Sequence, residues 1–366
     1  MMEKQKTVVI GLSGGVDSAV AALLLKKQGY NVMGIFMKNF SDTKDPITGE
    51  CSYLEERKMA QKIAAILEIP FVTLDYEKKY KKEVISYLFK SYKQGFTPNP
   101  DILCNKTIKF PALLKIAKKL KAEYIATGHY AKISKTKKGF NLYRPKDDFK
   151  DQTYFLSDLS QKDLSHTIFP LNKITKSRVR EIAKKNKFPN WDKHGTRGIC
   201  FIGKLDFKSF LKNKIKEKQG KVLSQNGKVI GTHPGIYYFT IGERAGESKN
   251  IIINQDYKKQ NSSTKLYIAK KIINKNILVI APRGDPSLLT KAIKVNNLHL
   301  INPKEKIPVN LKVKIRHMGK LLSGKLKKFN SNFTFNFSTP QEGVAPGQFI
   351  VFYSKDKVLG CGEIRI

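Results

Sequence analysis

Apolar and polar positions along the chain change period several times, and each change predicts an element. Val8 to Leu12 is an unbroken apolar run, and Val16, Val20, Leu23 and Leu24 follow at helical spacing, so a buried strand feeding a helix is expected. Gly29 stops that helix, and Asn31 to Phe36 reads as a second strand. A polar loop at 38–54 carries Cys51 and leads to a helix over Glu55 to Leu67, a strand over Phe71 to Leu74 and a helix through Phe89. Strands alternating with helices in this way predict a parallel, doubly wound α/β sheet. The rhythm breaks at 95–104, GFTPNPDILC, where Pro98 and Pro100 are expected to hold the chain extended before a helix over Asn105 to Lys121. Tyr124 to Ala126 reads as a further strand, residues 134–150 as a β-hairpin with a basic tip, and Ser177 to Lys185 as a helix with a solvated basic face.

From Gly220 the texture becomes β-rich. Short runs at Lys228 to Ile230, Ile236 to Thr240, Lys265 to Ala269 and Ile277 to Ile280 are separated by Gly, Asn and Pro turns. Residues 291–366 alternate Phe333, Phe335 and Phe337 and then offer Gln348 to Tyr353 and Val358 to Ile364, the pattern of a terminal β-barrel of RNA-binding type. Three domains are expected: 1–203, α/β and nucleotide-binding; 204–290, small and β-rich; and 291–366, a β-barrel.

Composition narrows the partners. The 366 residues carry 69 basic and 30 acidic side chains, a formal charge of +39. A field of that size favours a polyanion, nucleic acid before membrane surface. Only nine of the basic residues are Arg, so a general Lys enrichment that merely solvates helix faces stands as the alternative. The longest apolar run, Ala19 to Leu25, is far short of a membrane span, and the first residues show no leader, so a cytoplasmic protein is expected. The four cysteines, 51, 104, 200 and 361, form no C-x-x-C pair and the six His are scattered, which argues against a structural zinc site.

Candidate chemistry starts at Gly11-Leu12-Ser13-Gly14-Gly15-Val16-Asp17-Ser18, between the first strand and its helix. Gly14 and Gly15 are expected to reach positive φ, and the bare N–H groups, the two hydroxyls and the helix N-terminus form an anion socket. No Lys follows the glycines, so this is not the loop that grips a transferable γ-phosphate. It resembles instead the pyrophosphate loop of ATP pyrophosphatases, which adenylate a substrate oxygen. Met37 stands at the end of the second strand and Gly128 at the end of the fourth, where ligands of open α/β sheets gather. His129 points toward that crevice or packs. Cys104, at the start of a helix, is either a buried structural thiol or one whose pKa the helix dipole lowers. Cys200 lies on a Gly-rich stretch, and Cys361 reads as a packed strand residue.

SGGVDS, TPNPDILCNKTIKF, TGHYA, KDQTYFL, GICFIG and APGQ occur here in the order found in tRNA-specific 2-thiouridylases, so the chain resembles that family over nearly its whole length. The resemblance implies a Rossmann-like domain of the adenine nucleotide α-hydrolase type, a small central domain and a C-terminal β-barrel. It further implies ATP with Mg²⁺, in which Asp17 holds or orients the metal. The implied activity replaces the C2 oxygen of a wobble uridine with sulfur. By the same resemblance Cys200 carries a persulfide, delivered by a cysteine desulfurase or sulfur-relay protein. Cys104 is the nucleophile that ends in a transient disulfide with Cys200, and Asp101 the general acid/base. Asn99, Pro100 and Asp101 line the site of the flipped base, and His129, Lys150, Asp151, Gln152, Arg316, His317 and Gln348 touch the anticodon arm of a tRNA bound by a monomer. Three departures stand out: Arg316-His317-Met318-Gly319 where an RYRQ-like run is usual, HGTRG before Cys200, and Glu243 for a usual Gln. Rival readings are a different adenylating enzyme such as a lysidine or amide-forming synthetase, a non-catalytic RNA-binding protein, and an iron–sulfur cluster held by Asp101, Cys104 and Cys200.

Overall fold

Strand β1 (Thr7–Gly11) is buried on both faces, and the first layer is built outward from it. In the computed structural model residues 5–41, 52–193, 207–212, 214–246, 250–261, 264–330 and 332–366 are described. With β2 (Asn31–Lys38), β3 (Phe71–Asp75), β4 (Tyr124–Ala126) and the short β7 (Thr167–Ile168), β1 forms a parallel sheet in the order β3-β2-β1-β4-β7. Alternate residues of β1 serve opposite faces. Val8 and Ile10 pack under helices Val16–Lys27, Ser52–Ile66 and Lys176–Lys185, whereas Val9 packs under the helices that run through 77–93 and 100–119. Two covered faces explain the continuous apolar runs. The strand order reverses between β1 and β4, and the crevice at their C-terminal ends is where such sheets bind ligands.

The central domain is a five-stranded sheet in the order β10-β9-β8-β12-β11, formed by β8 (Gly220–Ser224), β9 (Val229–His233), β10 (Ile252–Ile253), β11 (Leu266–Ile272) and β12 (Ile277–Pro282). Ile236 to Thr240, expected as a strand, instead contains the 3-10 turn Ile236–Tyr238, whose Ile236 and Tyr238 fill the domain core. The last domain is a closed six-stranded antiparallel barrel of β13 (Leu289–Leu300), β14 (Asn310–Lys314), β15 (Leu322–Phe329), β16 (Asn332–Glu342), β17 (Phe349–Ser354) and β18 (Lys357–Arg365), closed by the pairing of β13 with β18. Phe335 and Phe337 project into its core. Cys361 is buried in β18, as expected.

The expected hairpin is β5 (Lys132–Thr136) with β6 (Gly139–Tyr143), shorter than 134–150, and it pairs with the barrel: Lys357 lies opposite Tyr143 and Val358 opposite Leu142. Below that joint Asp151 accepts from Lys314 Nζ at 2.7 Å, Arg144 Nε at 3.0 Å and Thr153 N at 3.0 Å. Burial pushes this carboxyl's pKa up, but the bonds from Lys314 and Thr153 outweigh it and hold the pKa below the usual range. Among the described residues no helix is long and apolar enough to cross a membrane.

Asp151 is 1% exposed and Lys314 7%, so removing one partner strands a buried charge. Asp151→Ala is expected to cost about 3 kcal/mol or more in denaturant unfolding, and Asp151→Ala combined with Lys314→Met to recover part of it. Because the folded carboxyl has the lower pKa, its contribution is full above the ordinary carboxylate range and lost as pH falls from that range through the lower folded value, which unfolding at graded acid pH would show.

Candidate active site

The loop after β1 owes its shape to one left-handed residue. Gly14 has φ +76°, and a Cβ there would stand 2.4 Å from the Glu56 carbonyl oxygen, so any other residue is both strained and blocked. Gly15, also expected at positive φ, is instead extended (φ −84°) and caps helix Val16–Lys27 with no side-chain cap bond. The early N–H groups of that helix therefore have no side-chain partner from the cap. Ser13 N donates to Ser18 Oγ at 3.2 Å, Ser18 Oγ donates to the Gly15 carbonyl at 2.9 Å, and Asn190 Nδ2 donates to the Gly14 carbonyl at 2.9 Å. Gly11 ends β1, and Leu12 and Val16 are buried anchors on either side of the loop.

Gly128 closes the crevice from β4. A Cβ there would lie 2.7 Å from Ser18 N and 2.8 Å from Asp17 C, so the glycine is needed for the protein's own packing as well as any ligand's approach. Met37 is buried inside the end of β2 in the same core cluster as Cys104. His129 stacks on Phe110 with ring centroids 6.2 Å apart, and its Nδ1 is 2.7 Å from Thr127 Oγ1. Burial, aided by the Lys109 charge, holds the imidazole neutral.

Two inward-turned cations stand where the sequence suggested only a solvated helix. Lys176 Nζ lies 2.5 Å from Asp17 Oδ1, an oxygen that also accepts from Tyr130 Oη at 2.7 Å. Burial pulls the Lys176 pKa down against the opposing pull of Asp17. One turn further on, the Nε of Arg180 is buried with no hydrogen bond. Periodicity identified this helix, but only the tertiary packing turns Lys176 toward Asp17 and buries the Nε of Arg180.

The segment expected to be extended through Pro100 is a helix start. Asn99 is its cap, accepting from Ile102 N at 3.2 Å, and Pro100 occupies the first turn, where a missing N–H costs nothing. Asp101 and Cys104 are three residues apart and share one helix face. The approach to this helix is fastened by the other two domains. Thr97 N donates to the Pro346 carbonyl at 2.8 Å, Gln348 Nε2 to the carbonyls of Thr97 and Pro98 at 3.1 and 3.2 Å, and Thr97 Oγ1 to Thr240 Oγ1 at 3.2 Å. Asn99 Nδ2 reaches Gln348 Oε1 at 3.4 Å. Gln348 thus positions the helix that bears Asp101 and Cys104.

Cys104 is a free thiol, 1% exposed, and burial pushes its pKa up to about 12, against the lowering expected from a helix N-terminus. The helix begins five residues earlier than the sequence implied, and the dipole falls off within the first turn.

The remaining expected contacts divide. Lys150 and Arg316 are exposed, and His317 is half-buried, its ring 4.2 Å from that of Phe155 with a buried Nδ1 that has no partner. Gln152 Oε1 accepts from Tyr130 N at 2.9 Å. Asp151, expected at the tRNA, is turned inward to Lys314, so its role is to brace the turn beside Lys150. Phe149 and Met318 are 85% and 73% exposed beside Lys150 and His317, apolar surface next to cations that no periodicity flagged. Cys200 and its flanks lie outside the described residues, as does Cys51. Among the described residues no group of three or more His, Cys, Asp or Glu is placed to hold a metal.

Fold and site together define a nucleotide-binding α/β enzyme domain joined to two β domains. The family model described as tRNA methyl transferase HUP domain matches residues 6–204, the PRC-barrel domain of the same set 208–282, and the aminomethyltransferase β-barrel domain 290–364. The curated tRNA-specific 2-thiouridylase MnmA 1 of Geobacillus kaustophilus is 39% identical over 99% of this chain and 96% of its own length. MnmA of Streptococcus mutans is 39% identical over 100% and 96%. Among solved structures, NMN synthetase from Francisella tularensis covers 58% of this chain and 79% of that chain at 21% identity, with a TM-score of 0.35. The chain belongs to the tRNA-specific 2-thiouridylase family.

The buried thiol carries a direct expectation. In the native protein at pH 8, iodoacetamide should modify Cys104 at least about a hundredfold more slowly than an unfolded control, since thiolate is the reactive form. Site-resolved mass spectrometry should show the rate still climbing at pH 10. A plateau near pH 8 would show that the helix dipole, not burial, governs this thiol.

Proposed function

We propose that the protein is an ATP-dependent tRNA 2-thiouridylase that adenylates the C2 oxygen of a wobble uracil and then replaces that oxygen with sulfur. The observation that carries this reading is the intact Gly11–Ser18 loop on a strand end, with the Asp101/Cys104 helix packed on the same sheet. Membership of a family matched along the whole chain names the substrate class.

The residues divide the work in order. Loop N–H groups and the N-terminus of helix Val16–Lys27 hold phosphate oxygens, while the backbone near Met37 and Gly128 borders the base and ribose. Asp17 is the loop's one carboxylate, which suits a magnesium ion held mainly by phosphate oxygens, and that ion would offset phosphate charge. The target base must be flipped out of the anticodon loop to reach the crevice, where Asn99 to Asp101 line its seat. Asp101 takes the N3 proton as uracil O2 attacks the α-phosphorus, the bond from that phosphorus to the bridging oxygen breaks, and pyrophosphate leaves.

Sulfur transfer then balances as follows. The terminal sulfur of a Cys200 persulfide bonds to C2, and the C2–O bond breaks with the oxygen leaving on AMP. The Cys104 thiolate attacks Cys200 Sγ, the persulfide S–S bond breaks, and its electron pair stays on the sulfur now attached to uracil. A Cys104–Cys200 disulfide remains for an external thiol reductant. A thiol with a pKa near 12 is a poor nucleophile at neutral pH, so Cys104 acts only after tRNA and nucleotide have changed its surroundings or a neighbouring base has taken its proton. Lys150 and Arg316, with Phe149 and Met318 beside them, are the surface for tRNA.

Purified protein with unmodified tRNA, ATP-Mg²⁺, a persulfide sulfur donor and a thiol reductant should give tRNA retarded on a mercury-containing gel, with AMP released in proportion. Cys104→Ser should abolish multiple turnover, and retained turnover would exclude the paired-thiol chemistry. Gly128→Ala, which pushes against Ser18 and Asp17, should lower AMP release by about a hundredfold, the scale of a 1 Å misplacement.

A further inference from the structure

The anion socket of the Gly11–Ser18 loop is made of neutral donors: N–H groups and two hydroxyls. The loop's one charged side chain is an anion, Asp17. The triphosphate of ATP brings about four negative charges, and the pyrophosphate that leaves keeps most of them, so neutral donors alone leave that half of the nucleotide poorly compensated. Cations must come from elsewhere in the fold, and helix Lys176–Lys185 presents two. It packs through Val179 and Ala183 onto the core that holds Val16, Ala19 and Val20. Lys176 and Arg180, four apart, therefore lie on one side of it, at the end where the phosphate loop meets helix Val16–Lys27.

Their bonding in the free protein is unfinished. Lys176 is 14% exposed at the side chain and is met by a single carboxylate oxygen, Asp17 Oδ1, which it shares with Tyr130. Arg180 has a buried Nε with no acceptor. Asp17 attracts the Lys176 ammonium while Lys150 and Arg180 repel it, and the Asp147 carboxylate beside it is engaged by the backbone N–H of Lys176 at 2.7 Å. A buried guanidinium donor without an acceptor costs free energy that an anionic oxygen would return.

We propose that Lys176 and Arg180 clamp the pyrophosphate half of the nucleotide, and that Asp17 holds Lys176 as a stand-in anion until the phosphates displace it. This rests on the proposed use of ATP and adds two charged groups and an exchange to it. On arrival the polyphosphate takes Lys176, Arg180 gains its missing acceptor, and the freed Asp17 oxygen faces the phosphates. When the α-phosphorus is attacked, the negative charge developing on the leaving pyrophosphate meets two cations already in place.

Isothermal titration of the full chain with inorganic pyrophosphate, without metal, and with AMP as control tests the clamp. Lys176→Met and Arg180→Gln should each weaken pyrophosphate binding about ten- to a hundredfold, the scale of a hydrogen bond to a charged group, and leave AMP binding within about twofold. Asp17→Asn should move pyrophosphate the other way, tightening it severalfold because Lys176 is no longer occupied; a merely structural bridge would not do this. If Lys176→Met loses its cooperative melt, Arg180→Gln carries the test. Unchanged pyrophosphate binding in a folded Arg180→Gln would overturn the clamp, and weakened binding in Asp17→Asn would overturn the exchange. A wild-type protein that bound AMP but no pyrophosphate would overturn the clamp alone, whereas one that bound no adenine nucleotide would overturn the proposed function as well.

Discussion

The hydrogen bonds that Gln348 makes to the carbonyls of Thr97 and Pro98 decide where the side chains of Asp101 and Cys104 stand. A proline-braced connection has few N–H groups of its own with which to fix its course, so its carbonyls must be met from outside. The barrel supplies one amide and the Pro346 carbonyl, and the central domain supplies Thr240. Gly347, at φ +91°, lets the barrel backbone come so near that a Cβ there would lie 2.8 Å from Phe96 Cβ. The helix of Asp101 and Cys104 begins immediately after this fastening. A barrel that the sequence suggests only as an RNA-binding module thus also positions the Asp101/Cys104 helix. A disturbance of the barrel can reach the Asp101/Cys104 helix through a few peptide groups.

Burial decides the electrostatics of this site more than local secondary structure does. For Cys104, beyond the first turn, the helix N-terminus offers less toward the thiolate than the about 0.3–1 kcal/mol of a first-turn position. The rise from an ordinary 9.0 to about 12 corresponds to about 4 kcal/mol the other way, so desolvation wins. Lys176 follows the same logic, drawn below its ordinary range although a carboxylate sits at 2.5 Å. Both groups are at rest in the free protein, one protonated and one paired, and in this account the substrates themselves bring them into action. The rest state also protects the Cys104 thiol from alkylation and oxidation.

Much of this was legible in the residues because local rules and the fold agree. Continuous apolar runs marked strands buried on both faces, and the SGGVDS turn marked the candidate socket because it lies between a strand run and a helix run. What stayed hidden depends on distant partners. Pro100 suggested extended chain, yet proline also suits the first turn of a helix, and the Asn99 cap settled the choice. The basic run at Lys176 to Lys185 gave no sign of which cations turn inward, because that depends on how the helix lies on its neighbour. Asp151 was assigned to the tRNA by its motif, but the pairing of β6 with β18 brings Lys314 to it. The reach of the hairpin into the barrel has no local signal at all.

The central claim is that uracil O2 is adenylated and leaves with AMP, and an isotope addresses it most directly. A tRNA carrying ¹⁸O at C2 of its wobble uridine, converted by the purified protein with ATP and a sulfur source, should yield AMP whose phosphate holds one ¹⁸O for each 2-thiouridine formed. Unlabelled AMP, with the ¹⁸O recovered in water, would contradict the account and show that ATP is split without activating the base.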